Sequence, residues 1–186
     1  MAAAEAKEAP RSLERGDPAP WFRAPAIGGR TDYAFDTVAG RHILMLFFDS
    51  ASRPEVRKAL EVVGNNRVLF DDFAASFFGV TCDAGDADQG RVGQQLPGIR
   101  FFLDPQRKVT EIYGTAKPQW LLLDPMLRVL ARYPIDEGEL AIAALRSELD
   151  SRSTDSFAPV LMLGTGPSVE KSSLCHSINS LLADGK

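Results

Sequence analysis

Apolar and polar positions alternate along the chain in blocks that predict strands and helices in turn. A continuous apolar run, His42–Phe48, predicts a strand that is buried on both faces, as in the middle of an α/β sheet. Pro54 opens a pattern in which Val56, Leu60 and Val63 recur at helical spacing. Further strands are predicted at 31–35, 76–82, 98–103, Gln119–Leu123 and 127–133, and shorter helical stretches at 68–75 and 107–113.

A long helix is predicted at 136–149, with Leu140, Ala143, Ala144 and Leu145 as its apolar stripe. Strands that alternate with helices, followed by a hairpin and this closing helix, predict an α/β fold. The expected architecture is a central mixed β-sheet flanked by helices.

Composition divides the chain into three parts. Residues 1–15 are rich in Ala, Glu and Lys without apolar periodicity, and they predict a flexible N-terminus. One domain is predicted over 16–150, and its opening segment 16–25 is expected to be extended chain anchored by Trp21 and Phe22. Residues 151–186 contain eight serines and predict a linker with an appended tail, with a strand at 159–163 and a helix at 169–183. So short a tail cannot bury a core of its own.

Charge and residue counts exclude several classes of function. The net charge of −4 argues against nucleic-acid binding, which needs a basic surface. The two cysteines exclude a disulfide scaffold and a four-cysteine zinc site. No cofactor and no metal are expected, because neither His42 nor His176 begins the H-x-[DE] pair of a non-haem iron site. The chain lacks a membrane-length apolar run and has an acidic start, which predicts a cytoplasmic protein without membrane contact.

Four segments resemble one known family. Gly16 to Phe22 (GDPAPWF) resembles the GDxAPxF opening of peroxiredoxins, and 43–48 resembles the strand before their active-site loop. The segments 99–114 (IRFFLDPQRKVTEIYG) and 117–124 (KPQWLLLD) resemble later redoxin segments in the same order. The chain is thus similar to the redoxin family, also called the alkyl hydroperoxide reductase/thiol-specific antioxidant or peroxiredoxin-like family. The resemblance implies a thioredoxin fold over 16–149.

The active-site loop departs from that family. A peroxidatic cysteine is expected after the strand, where a helix N-terminus lowers the pKa of a thiol and favours the nucleophilic thiolate. Here the loop contains no cysteine. A serine hydroxyl cannot pass through a sulfenic acid, so the peroxidase mechanism is expected to be absent. The equivalents of the active-site loop are Asp49, Ser50, Ser52, Arg53 and Pro54.

Two positions near this loop carry further expectations. Pro118 stands where the thioredoxin fold keeps a cis-proline that faces the active-site loop. Arg53, at the predicted helix start, could hold an anion through its guanidinium and nearby backbone donors, although a solvated arginine without a role is the simpler interpretation.

The two cysteines lie elsewhere in the chain. Cys82 ends a predicted strand and is the weak redox candidate, although the neighbouring Asp83 is expected to raise its pKa. A small buried apolar residue is the simpler interpretation. Cys175, beside His176, would be a resolving cysteine only if a peroxidatic partner existed.

A second resemblance concerns the tail. Residues 158–185 resemble the start of a 2-oxoglutarate/iron oxygenase domain, and redoxin-like domains without redox cysteines precede such oxygenases in some bacterial proteins. The leading interpretation is therefore a redoxin-like domain with a degenerate active site that serves as a non-catalytic binding or accessory domain, with a protein partner or a second copy of the chain as its target. The alternatives are a thiol-dependent peroxidase or antioxidant oxidoreductase that uses Cys82, and an interaction module that adds residues 160–163 to a partner's sheet.

Overall fold

The molecule is organised around a strand that is buried along its whole length. The computed structural model describes residues 12–29, 31–93 and 96–155. Its strands are β1 (Arg23–Ala24), β2 (Tyr33–Ala34), β3 (His42–Phe48), β4 (Ala75–Thr81), β5 (Ile99–Leu103), β6 (Gln119–Leu123) and β7 (Val129–Pro134). Its helices are α1 (Pro54–Asn65), α2 (Gly85–Asp88), α3 (Lys108–Ile112) and α4 (Gly138–Asp155), with 3-10 turns at Phe35–Val38, Arg67–Leu69 and Ile135–Glu137.

Five strands form one sheet in the order β5–β4–β3–β6–β7, and β1 and β2 form a small separate sheet. The strands β3, β4 and β5 run parallel, whereas β6 is antiparallel to β3 and to β7. The predicted mixed sheet flanked by helices is therefore confirmed. Because Phe48 lies opposite Thr81, β3 and β4 end side by side. The segments that follow these two strands meet at one edge of the sheet.

Both faces of the sheet are covered. Alternate residues of β3 enter two separate apolar cores, which explains why its sequence is continuously apolar. Ile43, Met45 and Phe47 pack on one face with side chains of the N-terminal segment and α3. Leu44 and Leu46 pack on the other face with side chains of α1 and α4.

The segment before β2 covers both edges of the sheet. The amide of Leu103 donates to the carbonyl of Pro25 at 3.0 Å on the β5 edge. On the β7 edge the amide of Gly16 donates to the carbonyl of Val129 at 2.8 Å. Covered edges protect a sheet from pairing with other chains. The prediction that two aromatics anchor this segment is half wrong, because Phe22 is buried whereas Trp21 is 74% exposed.

The predicted helix at 68–75 is wrong. A 3-10 turn ends at Leu69, and the carboxylate of Asp71 then accepts hydrogen bonds from the amides of Phe73 and Ala74, both at 2.8 Å. A side chain that satisfies nearby amides in this way competes with helix formation. Ala75 is already the first residue of β4.

The last helix differs from its prediction in phase and length. Leu140 is 56% exposed and Ala143 is also exposed, while the buried face carries Ala141, Ile142 and Leu145. Gly138 sets this phase, since a Cβ there would lie 2.9 Å from the Trp120 ring.

The helix continues to Asp155, six residues beyond its predicted end at 149. The strand predicted at 159–163 and the helix at 169–183 lie outside the described residues. No helix in the described ranges is both long and apolar enough to cross a bilayer.

Gly98 provides a test of how tightly the loops are packed before β4 and β5. It has φ +77°, and an added Cβ would lie 2.3 Å from the backbone carbonyl of Phe70. We expect Gly98→Ala to lower the free energy of unfolding by about 2–4 kcal/mol, since it adds left-handed strain to a backbone clash. Urea denaturation measures the change. Gly64→Ala is the control, because this helical glycine has open space around its Cβ position and should tolerate alanine. Equal stabilities of the two variants would contradict the prediction.

Candidate functional site

The loop expected to hold the active site lies where β3 ends and α1 begins. Asp49, Ser50, Ser52 and Arg53 occupy it, and Pro54 is the first residue of α1. The predicted loop equivalents are thus brought together at the carboxyl end of the central strand. Their polar side chains contact other side chains of the same protein, mainly carboxylates and guanidinium groups.

Asp86, in α2, binds the backbone of this loop. Its side chain is fully buried and accepts hydrogen bonds from the amide of Ala51 at 2.9 Å and the hydroxyl of Thr81 at 2.5 Å. Arg91 Nε donates to its second oxygen at 2.6 Å. A buried carboxylate is stable only when its oxygens are satisfied in this way. Asp86 therefore fixes the loop against the end of β4.

Asp83 holds the serines of the loop. The hydroxyl of Ser50 donates to Asp83 Oδ2 at 2.7 Å, and its oxygen lies 2.8 Å from that of Ser52. The hydrogen bond from Ser50 holds the pKa of Asp83 below its usual range, and Arg91, which donates to the same oxygen at 2.5 Å, acts in the same direction. A carboxylate with a lowered pKa is a weak base, so Asp83 does not activate Ser50 as a nucleophile.

Arg53 faces carboxylates. Its guanidinium lies 3.5 Å from Glu55 and 3.9 Å from Asp49. The backbone donors of the loop are also engaged: the amides of Ala51, Ser52 and Arg53 bond to Asp86, the Ser50 hydroxyl and the Ser50 carbonyl. Since Pro54 has no N–H, these four positions offer no free amide to an anion. The geometry does not favour the anion site predicted at Arg53.

Pro118 lies beside the loop, as the resemblance implies, but its peptide bond is trans. No cis bond occurs in the described ranges, so the expected cis-proline is wrong. Pro118 lines a narrow cleft together with Asp49 and Cys82. The cleft offers about 10 Å³ to solvent, which is the space of about one water molecule.

Cys82 lines this cleft, is half-buried and lies one residue beyond the end of β4. Its Sγ lies 3.5 Å from Thr110 Oγ1. A hydroxyl beside a sulfur usually stabilises the thiolate, but the Thr110 hydroxyl donates its hydrogen to Asp104 at 2.7 Å. The hydrogen of that hydroxyl is therefore directed to the carboxylate rather than to the sulfur.

Burial raises the pKa of the Cys82 thiol, although Arg107 acts in the opposite direction. Arg107 itself forms an ion pair with Asp49, which lines the cleft. The sequence attributed a raised pKa of Cys82 to the neighbouring Asp83, and this attribution is wrong. Burial raises the pKa most strongly, and the carboxylates that contribute are those of Asp104 and Asp49.

Sequence reasoning missed Asp86, Arg91, Arg107 and Thr110. It treated 83–90 as an acidic loop leading to a short helix. The available signal was the pair of adjacent strand ends, since parallel neighbours place the segments after β3 and β4 at the same sheet edge. The described residues contain no group of three His, Cys, Asp or Glu side chains placed to hold a metal ion. Cys175 and His176 lie outside those residues.

Several solved structures share this fold. A candidate thiol:disulfide interchange protein DsbE from Chlorobium tepidum is 20% identical with a TM-score of 0.58, over 72% of this chain and 99% of that one. A cysteine-to-serine variant of Xanthomonas campestris peroxiredoxin Q is 16% identical with a TM-score of 0.58, over 69% and 91%. A yeast mitochondrial 1-Cys peroxiredoxin is 15% identical with a TM-score of 0.60, over 84% of each chain.

This likeness confirms the predicted thioredoxin fold. No protein-family model and no curated protein matches the chain.

The role of Asp86 can be tested by removing its charge. We expect Asp86→Asn to lower the free energy of unfolding by about 3 kcal/mol, because breaking a buried charged pair leaves its donors without a matching acceptor. Chemical denaturation monitored by circular dichroism measures the change. Asp88→Asn, an exposed aspartate of the same helix, is the matched control and should change stability little. Similar losses in both variants would contradict the assignment.

The state of Cys82 can be followed by alkylation. Because burial raises its pKa, we expect its rate of reaction with iodoacetamide to reach half its maximum above about pH 8.5, the ordinary value for cysteine. Peptide mapping by mass spectrometry separates Cys82 from Cys175, and free glutathione serves as the reference thiol. A half-maximum near or below neutral pH would contradict the prediction and indicate a thiolate at rest.

Proposed function

We propose that this protein is a redoxin-like domain with a degenerate active site, which serves as a non-catalytic binding or accessory domain. One observation supports the proposal above others. The loop that carries the reactive thiol in the resembled family has here a closed set of hydrogen bonds between Ser50, Ala51, Asp83 and Asp86. A catalytic loop needs a nucleophile and free donors for its substrate, whereas this loop lacks a cysteine and its amides at Ala51, Ser52 and Arg53 are already bonded.

The domain division belongs to the same proposal. A core at 16–150 accounts for the strands and cores described above, with 1–15 and 151–186 as additional segments. The continuation of α4 to Asp155 extends the last element of the core slightly beyond that boundary. The resemblance of 158–185 to an oxygenase domain lies outside the described residues, and with it the idea of an accessory role beside an oxygenase.

A thiol peroxidase that uses Cys82 is the second candidate. The observation in its favour is the cleft that Cys82 shares with Asp49 and Pro118, close to the cation of Arg107. The narrow cleft and the raised pKa of the Cys82 thiol oppose it. The neighbouring folds of peroxiredoxins and of a thiol:disulfide interchange protein are compatible with either candidate.

A peroxide pulse separates the two candidates. The protein is exposed briefly to hydrogen peroxide with a reagent that traps sulfenic acid, and each cysteine is mapped by mass spectrometry. We expect Cys82 to be oxidised no faster than free glutathione, because a neutral thiol is a poor nucleophile.

Cys82→Ser serves as the control that assigns any trapped product to this position. Selective oxidation of Cys82, orders of magnitude faster than glutathione, would overturn the non-catalytic proposal and support the peroxidase.

A further inference from the structure

A concave surface beside an exposed indole lies outside the loop and cleft described above. It has a volume of about 400 Å³ and is lined by Trp21, Phe22, Arg23 and Asp36. Phe22 belongs to the core, whereas Trp21 is 74% exposed. Large exposed aromatics of this kind are enriched in binding surfaces.

The small sheet brings the indole and the carboxylate together. In the antiparallel pair of β1 and β2, Arg23 lies opposite Ala34. The amide of Phe35 donates to the carbonyl of Phe22 at 3.0 Å, which extends the same register by one residue. Trp21 precedes Phe22 and Asp36 follows Phe35, and both Trp21 and Asp36 line the concave surface.

A third segment adds an apolar side chain. The amide of Ala19 donates to the carbonyl of Leu127 at 2.7 Å, so the turn between β6 and β7 lies against the segment that carries Trp21. Met126 in this turn is 76% exposed. The turn is fixed in place, because the Asp124 carboxylate accepts the amide of Met126 at 2.8 Å.

The charge of this surface is negative. Asp36 has no hydrogen-bond or ion-pair partner within the described part of the chain, whereas Arg23 is neutralised by Asp32 at 2.8 Å. Of the two charged residues that line the surface, Asp36 is therefore the one without a counter-charge among the described residues. A cationic side chain bound here would meet this carboxylate beside an indole.

We propose that the concave surface lined by Trp21 and Asp36, with Met126 in the neighbouring turn, binds a partner protein through a lysine or arginine side chain flanked by an apolar residue. The face of an indole attracts a cation, and the carboxylate supplies the opposite charge. Met126 offers a flexible apolar contact to the flanking residue. The surface does not involve the degenerate loop, so this inference stands whether or not Cys82 proves to be redox-active.

The fluorescence of Trp21 reports on this surface. The chain contains two tryptophans, and the other, Trp120, is fully buried. The probe is the peptide acetyl-Leu-Arg-Leu-Arg-Leu-amide, and the same peptide with glutamate in place of arginine is its control. We expect a saturable change in emission with the arginine peptide, weaker at high salt, and none with the glutamate peptide.

Variants separate this contact from general charge attraction. Asp36→Asn should weaken binding of the arginine peptide about fivefold to tenfold, and Met126→Ala should weaken it by a smaller factor. Glu61→Gln, an exposed carboxylate on α1 across the sheet, is the control and should bind as the unaltered protein does. Isothermal calorimetry with Trp21→Ala should show loss of binding, with an unchanged circular dichroism spectrum as evidence that the variant is folded.

Three results would overturn the proposal. They are equal responses to the two peptides, an affinity that Asp36→Asn leaves unchanged, and an emission change that follows protein concentration without peptide. The last result would assign the surface to a second copy of the chain.

Discussion

The buried carboxylate of Asp86 is the interaction on which the end of the sheet depends. β3 and β4 are parallel neighbours, and the segments that leave them must pass each other at the same edge. Asp86 joins the two by accepting the Ala51 amide from one segment and the Thr81 hydroxyl from the other, while Arg91 balances its charge. Without such a shared acceptor, buried polar groups of both segments would lack partners. The conformation of the loop, the start of α1 and the position of Asp83 all follow from this contact.

The same contact supports the proposal that the active-site loop is degenerate. A reactive thiol at this point would need a positive local field and unoccupied amides. In this protein two carboxylates, Asp83 and Asp86, lie beside the loop, and they accept hydrogen bonds from its hydroxyl and amide groups. The remaining described cysteine, Cys82, lies in a cleft where burial raises the pKa of its thiol and favours the uncharged form. The architecture is thus compatible with redox chemistry, whereas the local electrostatics oppose it.

The sequence predicted the central elements well because their signals are local. The apolar run of β3 and the proline that begins α1 determine those elements within a few residues, and both were predicted with their observed starts. The phase of α4 was not predictable in this way, since it depends on the close approach of Gly138 to Trp120. The loop residues were found through resemblance, but Asp86, which accepts the Ala51 amide, is 35 residues away along the chain. Thr110, which contacts Cys82, is 28 residues from it. Such pairs have no local pattern, and only the strand order brings them together.

The N-terminal segment has a consequence for the timing of assembly during protein synthesis. It leaves the ribosome before the strands of the main sheet, yet it pairs with residues made much later: the amide of Gly16 donates to the carbonyl of Val129, and Arg132 donates to the carbonyl of Leu13. Contacts of such high sequence separation form only after the intervening chain exists. Until β6 and β7 exist, β3 lacks its neighbour on that side, and the partial sheet is open to pairing with other chains. The fold is therefore completed late in synthesis, and until then the nascent chain must be kept from pairing with other chains.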